Sequence, residues 1–184
     1  MKILMTGHTS PMGTVLFEHL KHHHEVVGIS RNTGYDLNKL EDIQQVVEQS
    51  INYDHFVNLA HVENAQIQLL MLIHKKWSEI NKTGKIITFG TLGTELSEDI
   101  LKHVKADLNY IKQKTHLENV HRFLSTKTPF GTQPQSVLIR ILNYGKKTDV
   151  RQEEPFCDTQ DIKRTFDYVL NEPLYISSID VRKI

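Results

Sequence analysis

The sequence is short of the features that mark several common classes of protein. Cys157 is its single cysteine, which excludes an internal disulfide and a pair of thiolate metal ligands and fits a reducing cytoplasm. Lysine plus arginine number 22 and aspartate plus glutamate also number 22, so the positive excess typical of nucleic-acid binding is missing. The N-terminal apolar run ends at Met5, and no later run approaches the roughly 20 apolar residues that span a membrane. We therefore expect a soluble, cytoplasmic protein with neither nucleic-acid nor membrane partners.

Three consecutive histidines, His22 to His24, invite comparison with a metal site. Neighbouring side chains in a helix point about 100° apart and do not converge easily on one ion. The histidines follow a helical pattern from Pro11 to about Lys21, and partly protonated imidazoles suit the negative end of a helix dipole. We interpret them as a solvated helix end and predict no metal site.

The order of the apolar runs predicts the fold. A length of 184 residues suits one well-packed domain, so we treat residues 1–184 as a single domain. Short apolar runs alternate with helical patterns, which predicts a doubly wound α/β fold of Rossmann type, with a mostly parallel sheet of six or seven strands and helices on both faces. The predicted strands are 3–5, 26–29, 56–60, 84–89, 136–142 and 174–181, and the predicted helices are 11–21, from 40, from 64, 97–124 and 161–170.

The first turn of the chain predicts an anion site. Gly7 breaks the strand that ends at Met5, and Pro11 begins a helix. Free backbone N–H groups and the positive end of the helix dipole then face whatever lies over the end of the strand. The pyrophosphate of a dinucleotide is the first candidate, and Gly13 permits its close approach.

The carboxyl end of the second strand predicts which dinucleotide is bound. Ser30 and Arg31 leave this end of the strand. An acidic side chain there binds the adenosine ribose hydroxyls, whereas an arginine can pair with a 2′-phosphate. The residues favour NADP over NAD. The alternative is an ordinary surface arginine in a turn.

A series of motifs along the chain resembles the short-chain dehydrogenases/reductases, as a compact, minimal member. Residues 6–13, Thr-Gly-His-Thr-Ser-Pro-Met-Gly, resemble their glycine-rich cofactor loop, and residues 58–61, Asn-Leu-Ala-His, resemble their Asn-Asn-Ala-Gly. Residues 84–91 are similar to the strand that ends in the catalytic serine, with Thr91 at that place. Tyr110 and Lys114 match the Tyr-x-x-x-Lys pair, and residues 143–145 resemble the Asn-Pro-Gly turn near the nicotinamide.

The resemblance implies an NADP-dependent oxidoreductase that reduces a carbonyl, or oxidises an alcohol, of a small substrate by hydride transfer. It assigns Tyr110 as the acid/base, Lys114 as the cation that favours the phenolate and holds the nicotinamide ribose, and Thr91 as the hydroxyl that orients the substrate oxygen. Asn64, 27 residues before Thr91, matches the spacing of the asparagine that supports a water relay. The residues assigned to the cofactor are Gly7, Thr9, Ser10, Met12, Gly13, Ser30, Arg31, Asp36, Asn58, Ala60, Lys114, Tyr144 and Gly145.

Departures from the family pattern leave other functions open. Pro11 removes one N–H from the phosphate-facing turn, and His61 puts a side chain where the family has glycine. Asn64 lies only six positions after Asn58, so little chain is present to enclose a large substrate. The alternatives are a nucleotide-binding sensor or interaction protein without turnover, and a relative of the sugar-nucleotide reductases and epimerases.

The helix from Asn64 carries an apolar run, Ile67 to Ile73, broken only by Gln68. By resemblance, the helices that start near Asn64 and Ser97 would form the surface of a homodimer or homotetramer. The apolar run supports this prediction. The alternative is a monomer that buries the run internally.

Overall fold

The computed structural model describes residues 1–127, 134–142 and 157–182. Its strands within these residues are β1 (Lys2–Thr6), β2 (Glu25–Ile29), β3 (His55–Asn58), β4 (Lys85–Thr91), β5 (Gln135–Ile141) and β6 (Ser178–Val181). They form one sheet in the order β2-β1-β3-β4-β5-β6, and every neighbouring pair is parallel. The predicted Rossmann-type α/β fold is confirmed.

Helices cover both faces of the sheet. The α-helices of the described residues are α1 (Pro11–Lys21), α2 (Leu40–Ser50), α3 (Ala65–Glu79), α4 (Glu98–His103), α5 (Leu108–Lys127) and α6 (Thr159–Asn171). α1 and α6 pack on one face, and α2, α3 and α5 pack on the other. Among the described residues, no helix combines the length and the apolar character needed to cross a membrane.

The apolar run at the start of the chain serves both layers. Ile3 and Met5 belong to the core beneath α1 and α6, whereas Leu4 belongs to the core beneath α2 and α3. Successive side chains of a strand point to opposite faces, so a sheet that is covered twice needs apolar residues at every position. This is why β1 has a continuous apolar run rather than an alternating one.

The first helix begins where its sequence predicts. The Ser10 hydroxyl accepts a hydrogen bond from the Gly13 N–H at 3.0 Å, which caps the helix, and Pro11 occupies its first position. The helix ends at Lys21, as predicted. Its first turn packs against the turn that follows β1, because a Cβ added at Gly13 would meet the Gly7 carbonyl.

The long helix predicted for residues 97–124 is wrong in one respect, because the chain breaks it into α4 and α5. Lys105 has a left-handed φ of 52°, and the N–H of Ala106 bonds the carbonyl of Leu101. The Asp107 carboxylate then accepts hydrogen bonds from the N–H groups of Asn109 and Tyr110 and starts α5. The break contains neither glycine nor proline, so the apolar spacing runs across it without a sign of the turn.

The final strand is shorter than predicted. The sequence predicts a strand over 174–181, but only Ser178–Val181 pair with β5. Leu174 is exposed, so its apolar character does not report a position in the sheet. Pairing sets the start of this edge strand, and pairing is not visible in a local pattern.

The apolar run of α3 is largely buried within the chain itself. Ile67, Leu69, Leu70 and Ile73 belong to the core beneath α2, α3 and α5, whereas Met71 is 49% exposed. Packing within one chain therefore buries most of the apolar run, as expected for the alternative of a monomer that buries it internally. The homodimer or homotetramer stays a prediction.

A buried histidine joins α5 to the sheet. His121 is 3% exposed, and its Nδ1 lies 2.8 Å from the Ser136 hydroxyl of β5. The Ser125 hydroxyl lies 3.3 Å from its Nε2. Burial lowers the pKa of His121 to about 4, because the protonated ring would lose its hydration.

This histidine predicts a loss of stability in acid. Between pH 6.5 and 4 the unfolded chain binds a proton at this ring and the folded chain does not, so the free energy of unfolding falls as the pH falls. A shift of this size corresponds to about 3 kcal/mol between pH 7 and 4. We expect His121→Gln to remove that part of the pH dependence, measured by urea unfolding. His22→Gln, at an exposed position, is the control; equal pH dependence in both variants would contradict the assignment.

Candidate functional site

The turn after β1 is pressed against the chain that follows β3. Gly7 has a φ of 74°, and a Cβ added there would lie 2.6 Å from the backbone N of Ala60. The Thr6 hydroxyl accepts hydrogen bonds from the N–H groups of Leu59 and Ala60 at 3.2 and 3.3 Å. Only glycine fits at position 7, and the two segments form one rigid wall.

A cleft of about 380 Å³ opens beside this wall. It lies at the carboxyl ends of β1, β2 and β3, where the chain changes direction in the sheet, and ligands of doubly wound folds bind at such a point. Seven residues predicted to bind the cofactor line the cleft: Gly7, Thr9, Ser10, Ser30, Arg31, Asp36 and Ala60.

The charged groups at the far end of the cleft have different partners. The Asp36 carboxylate accepts hydrogen bonds from the backbone and side-chain nitrogens of Asn38, which lower the pKa of Asp36, and the charges of Lys39 and Arg31 lower it further. Arg31 is exposed and forms no ion pair of 4 Å or less with any described residue. Its guanidinium is therefore available to an anion in the cleft.

A buried polar network joins two helices to the ends of two neighbouring strands. Lys114 is 4% exposed, and its Nζ donates to Oε1 of Gln66 at 2.7 Å and to the Phe89 carbonyl at 2.9 Å. Gln66, 2% exposed, donates through Nε2 to the carbonyls of Asn58 and Phe89. The Asn58 side chain in turn donates to the Gln66 carbonyl at 2.8 Å. The network ties α5 to α3 and to the ends of β3 and β4.

Tyr110 lies one turn before Lys114 on α5. The Lys114 Nζ is 5.4 Å from the centre of the Tyr110 ring. Burial lowers the pKa of Lys114 to about 8, an effect that the charge of Glu118 opposes, and burial raises the pKa of Tyr110. The phenol is therefore the stable form of Tyr110 at neutral pH. This form can donate a proton, whereas the family resemblance implies activation as a phenolate.

Thr91 ends β4, two residues after the carbonyl that binds Lys114. Its hydroxyl accepts from the Gly93 N–H at 3.2 Å and donates to the Ile141 carbonyl at 3.4 Å, and it caps the short 3-10 helix Leu92–Glu95. Within the described residues, no hydrogen bond joins the Tyr110 hydroxyl to Thr91 or Lys114. Thr91 and Lys114 are thus anchored to the same strand end, while the three groups are not bonded to one another.

The remaining predicted residues have other places. Asn64 is exposed and its side chain makes no capping bond, so its assigned role stays a prediction. Asn58 is in the buried network, Gly13 is buried against Gly7, and Met12 packs partly on the core. Tyr144 and Gly145 lie outside the described residues.

Gln66 is the residue that sequence reasoning missed. A signal was present: Gln66, Leu70, Ile73 and Trp77 recur at helical spacing and all face the core, so a polar side chain opens an otherwise apolar stripe. A buried amide needs partners, and such a break in a stripe indicates a polar network.

In residues 1–127, 134–142 and 157–182, no cluster of three or more His, Cys, Asp or Glu side chains is arranged to hold a metal.

No protein-family model and no curated protein matches this chain. Solved structures do. The chain is similar to a 3-alpha-hydroxysteroid dehydrogenase from Pseudomonas sp. B-0831 complexed with NADH, with 14% identity, a TM-score of 0.73, and coverage of 98% of this chain and 95% of that one. It is also similar to a short chain dehydrogenase from Leptospira borgpetersenii with bound NAD+, with 14% identity, a TM-score of 0.74, and coverage of 98% of this chain and 91% of that one. A third similar structure is a small-chain dehydrogenase in complex with NADPH, with 13% identity, a TM-score of 0.70, and coverage of 98% of this chain and 96% of that one. The chain therefore has the fold of the short-chain dehydrogenases/reductases.

Proposed function

We propose that this protein belongs to the short-chain dehydrogenases/reductases and is an NADP-dependent oxidoreductase that reduces the carbonyl, or oxidises the alcohol, of a small substrate. The observation that carries the proposal is the cleft at the reversal of strand order, which is lined by seven of the predicted cofactor residues. Solved structures of the same fold hold NADH, NAD+ and NADPH.

The residues of the cleft suit a phosphorylated dinucleotide. Gly7, Thr9 and Ser10 line the cleft just before α1, and the positive end of the α1 dipole would suit a diphosphate there. Ser30 and Arg31 both line the cleft, and the Arg31 guanidinium forms no ion pair of 4 Å or less with a described residue. Together these two side chains would hold the adenosine 2′-phosphate.

The chain's own residues would manage the proton. A bound reduced dinucleotide supplies the hydride that adds to the substrate carbonyl. Tyr110, held as a phenol by burial, donates its proton to the substrate oxygen. Lys114 has three N–H groups, and two are bonded to Gln66 and Phe89, so the third can hold a ribose hydroxyl. Thr91 would exchange its 3.4 Å bond to the Ile141 carbonyl for one to the substrate.

The proposal is tested by cofactor binding. We expect nicotinamide fluorescence to show tighter binding of NADPH than of NADH, and Arg31→Ala to weaken NADPH binding by about 10- to 100-fold, the factor of a charged hydrogen bond. Binding of NADH to the variant should stay within about threefold of the wild type. Arg164→Ala, at an exposed position on α6, is the control. Equal binding of both cofactors would overturn the NADP preference, and no binding of either would overturn the proposal.

A nucleotide-binding protein without turnover is the second candidate. The absence of a hydrogen bond from Tyr110 to Lys114 or Thr91 in the described residues favours it, as does the His61 ring beside Tyr110. Fold alone does not fix activity. Tight NADPH binding without reduction of any compound in a panel of aldehydes and ketones would favour this candidate.

A further inference from the structure

His61 stands between the cleft and Tyr110. It lines the cleft together with Ala60 and Val62, and its ring meets the Tyr110 ring edge-on, at 4.8 Å between centres and 81° between planes. The charge of Lys114 contributes to lowering the pKa of His61, after burial, so the ring also lies near that ammonium group. The imidazole is thus in contact with the proposed acid and at the rim of the proposed cofactor site.

The backbone that carries His61 is fixed, while its side chain is not. Hydrogen bonds from Leu59 and Ala60 to the Thr6 hydroxyl, and the contact of Ala60 with Gly7, hold the segment before it. The His61 side chain is exposed and forms no hydrogen bond with a described residue. Rotation about its side-chain bonds therefore moves the ring without moving the wall of the cleft.

The size of the cleft agrees with an obstruction at this place. About 380 Å³ is near the lower end of the range for ligand sites, which suits one half of a dinucleotide better than the whole. His61 lines the cleft, whereas Tyr110, which the His61 ring contacts, is not among the lining residues. If Tyr110 is the acid, the nicotinamide half has to reach Tyr110 from the cleft, and the His61 ring lies on that route.

We infer that His61 determines which nucleotides engage the site fully: the adenosine half binds with the ring against Tyr110, and the nicotinamide half enters only when the ring turns away. This inference rests on the proposed function, and it identifies His61 as the residue that controls nucleotide selectivity at the same site. The apparent affinity of a ligand that needs the open conformation is reduced by the fraction of molecules that are open. The apparent affinity of a ligand that ends at the adenosine 5′-phosphate is not reduced in this way.

The experiment compares two ligands on three proteins. Calorimetric titration with NADPH and with adenosine 2′,5′-bisphosphate is carried out on the wild type, on His61→Ala and on His116→Ala, an exposed position on α5. We expect His61→Ala to tighten NADPH binding by about two- to tenfold, the equilibrium factor of one aromatic edge contact. The bisphosphate affinity should stay within about twofold, and His116→Ala should change neither affinity.

Each outcome has a defined meaning. If both ligands bind the wild type and their affinity ratio is the same in His61→Ala, the gating role is overturned and the proposed function stands. Weaker NADPH binding in His61→Ala also overturns it, because His61 would then be a cofactor contact. If neither ligand binds any of the proteins, the proposed function fails together with the inference. As a second readout, the ring-current shift of the His61 protons should change with NADPH and persist with the bisphosphate.

Discussion

The Tyr110→Phe variant is expected to lose about 10²- to 10⁴-fold in kcat, the usual contribution of a positioned acid. Burial holds the Tyr110 side chain of the wild type as a protonated phenol. Phenylalanine keeps the ring, its contact with His61 and its position beside Lys114, but it lacks the hydroxyl proton. NADPH affinity should therefore stay within about threefold of the wild type. The measurement is NADPH oxidation with the best carbonyl substrate from a panel, together with a fluorescence titration of the cofactor.

The control for this variant is Tyr168→Phe. Tyr168 is exposed on α6, on the face of the sheet opposite to Tyr110, so its hydroxyl should be dispensable. Full activity in Tyr110→Phe would show that another group supplies the proton. A parallel loss in kcat and in NADPH affinity would instead indicate that Tyr110 is a binding residue.

Gln66→Leu is expected to lower the free energy of unfolding by about 1 to 3 kcal/mol, the cost of leaving buried polar groups without a hydrogen-bond partner. Leucine has a similar volume but leaves the buried Lys114 ammonium with the Phe89 carbonyl alone, and it leaves the Asn58 carbonyl without its side-chain donor. The pKa of Lys114, already lowered to about 8, should fall further. Urea unfolding measures the first effect, and the pH dependence of NADPH binding measures the second.

The chain offers a matched control two residues away. Gln68 is on the same helix but exposed, so Gln68→Leu should change the free energy of unfolding by no more than about 0.5 kcal/mol. Gln66→Glu provides a test in the other direction, because a carboxylate beside the ammonium should raise the pKa of Lys114. Similar stabilities of the Gln66→Leu and Gln68→Leu variants would show that the network contributes little.

Local chemistry made part of the fold predictable. The start of α1 is determined by Ser10 as its cap and by Pro11 after it, and both act within one turn of the chain. The break between α4 and α5 could not be read in the same way. It depends on Lys105, which has a left-handed conformation that its residue type rarely adopts, and on the bonds from the N–H groups of Lys105 and Ala106 to α4 carbonyls.

The residues of the candidate site also fall into those that local chemistry predicted and those that depend on tertiary contacts. Gly7 and Arg31 were predicted because their roles follow from backbone freedom and charge at a strand end, and the structure puts both in one cleft. Gln66 and His61 were not assigned a task, because their importance comes from what faces them across the fold. Gln66 meets Lys114 from 48 residues away, and His61 meets the ring of Tyr110 on another helix.

The sequence by itself determined the alternation of strands and helices, the double covering of the sheet and the residue types at the carboxyl ends of the strands. These properties follow from apolar periodicity, caps and turn residues, which act over a few neighbouring positions. Only the tertiary structure decided that Gln66 holds Lys114 and that the apolar run of α3 lies mainly inside its own chain. Such contacts join residues distant in sequence, and their free energy comes from burial and hydrogen bonding that exist only once the layers have packed.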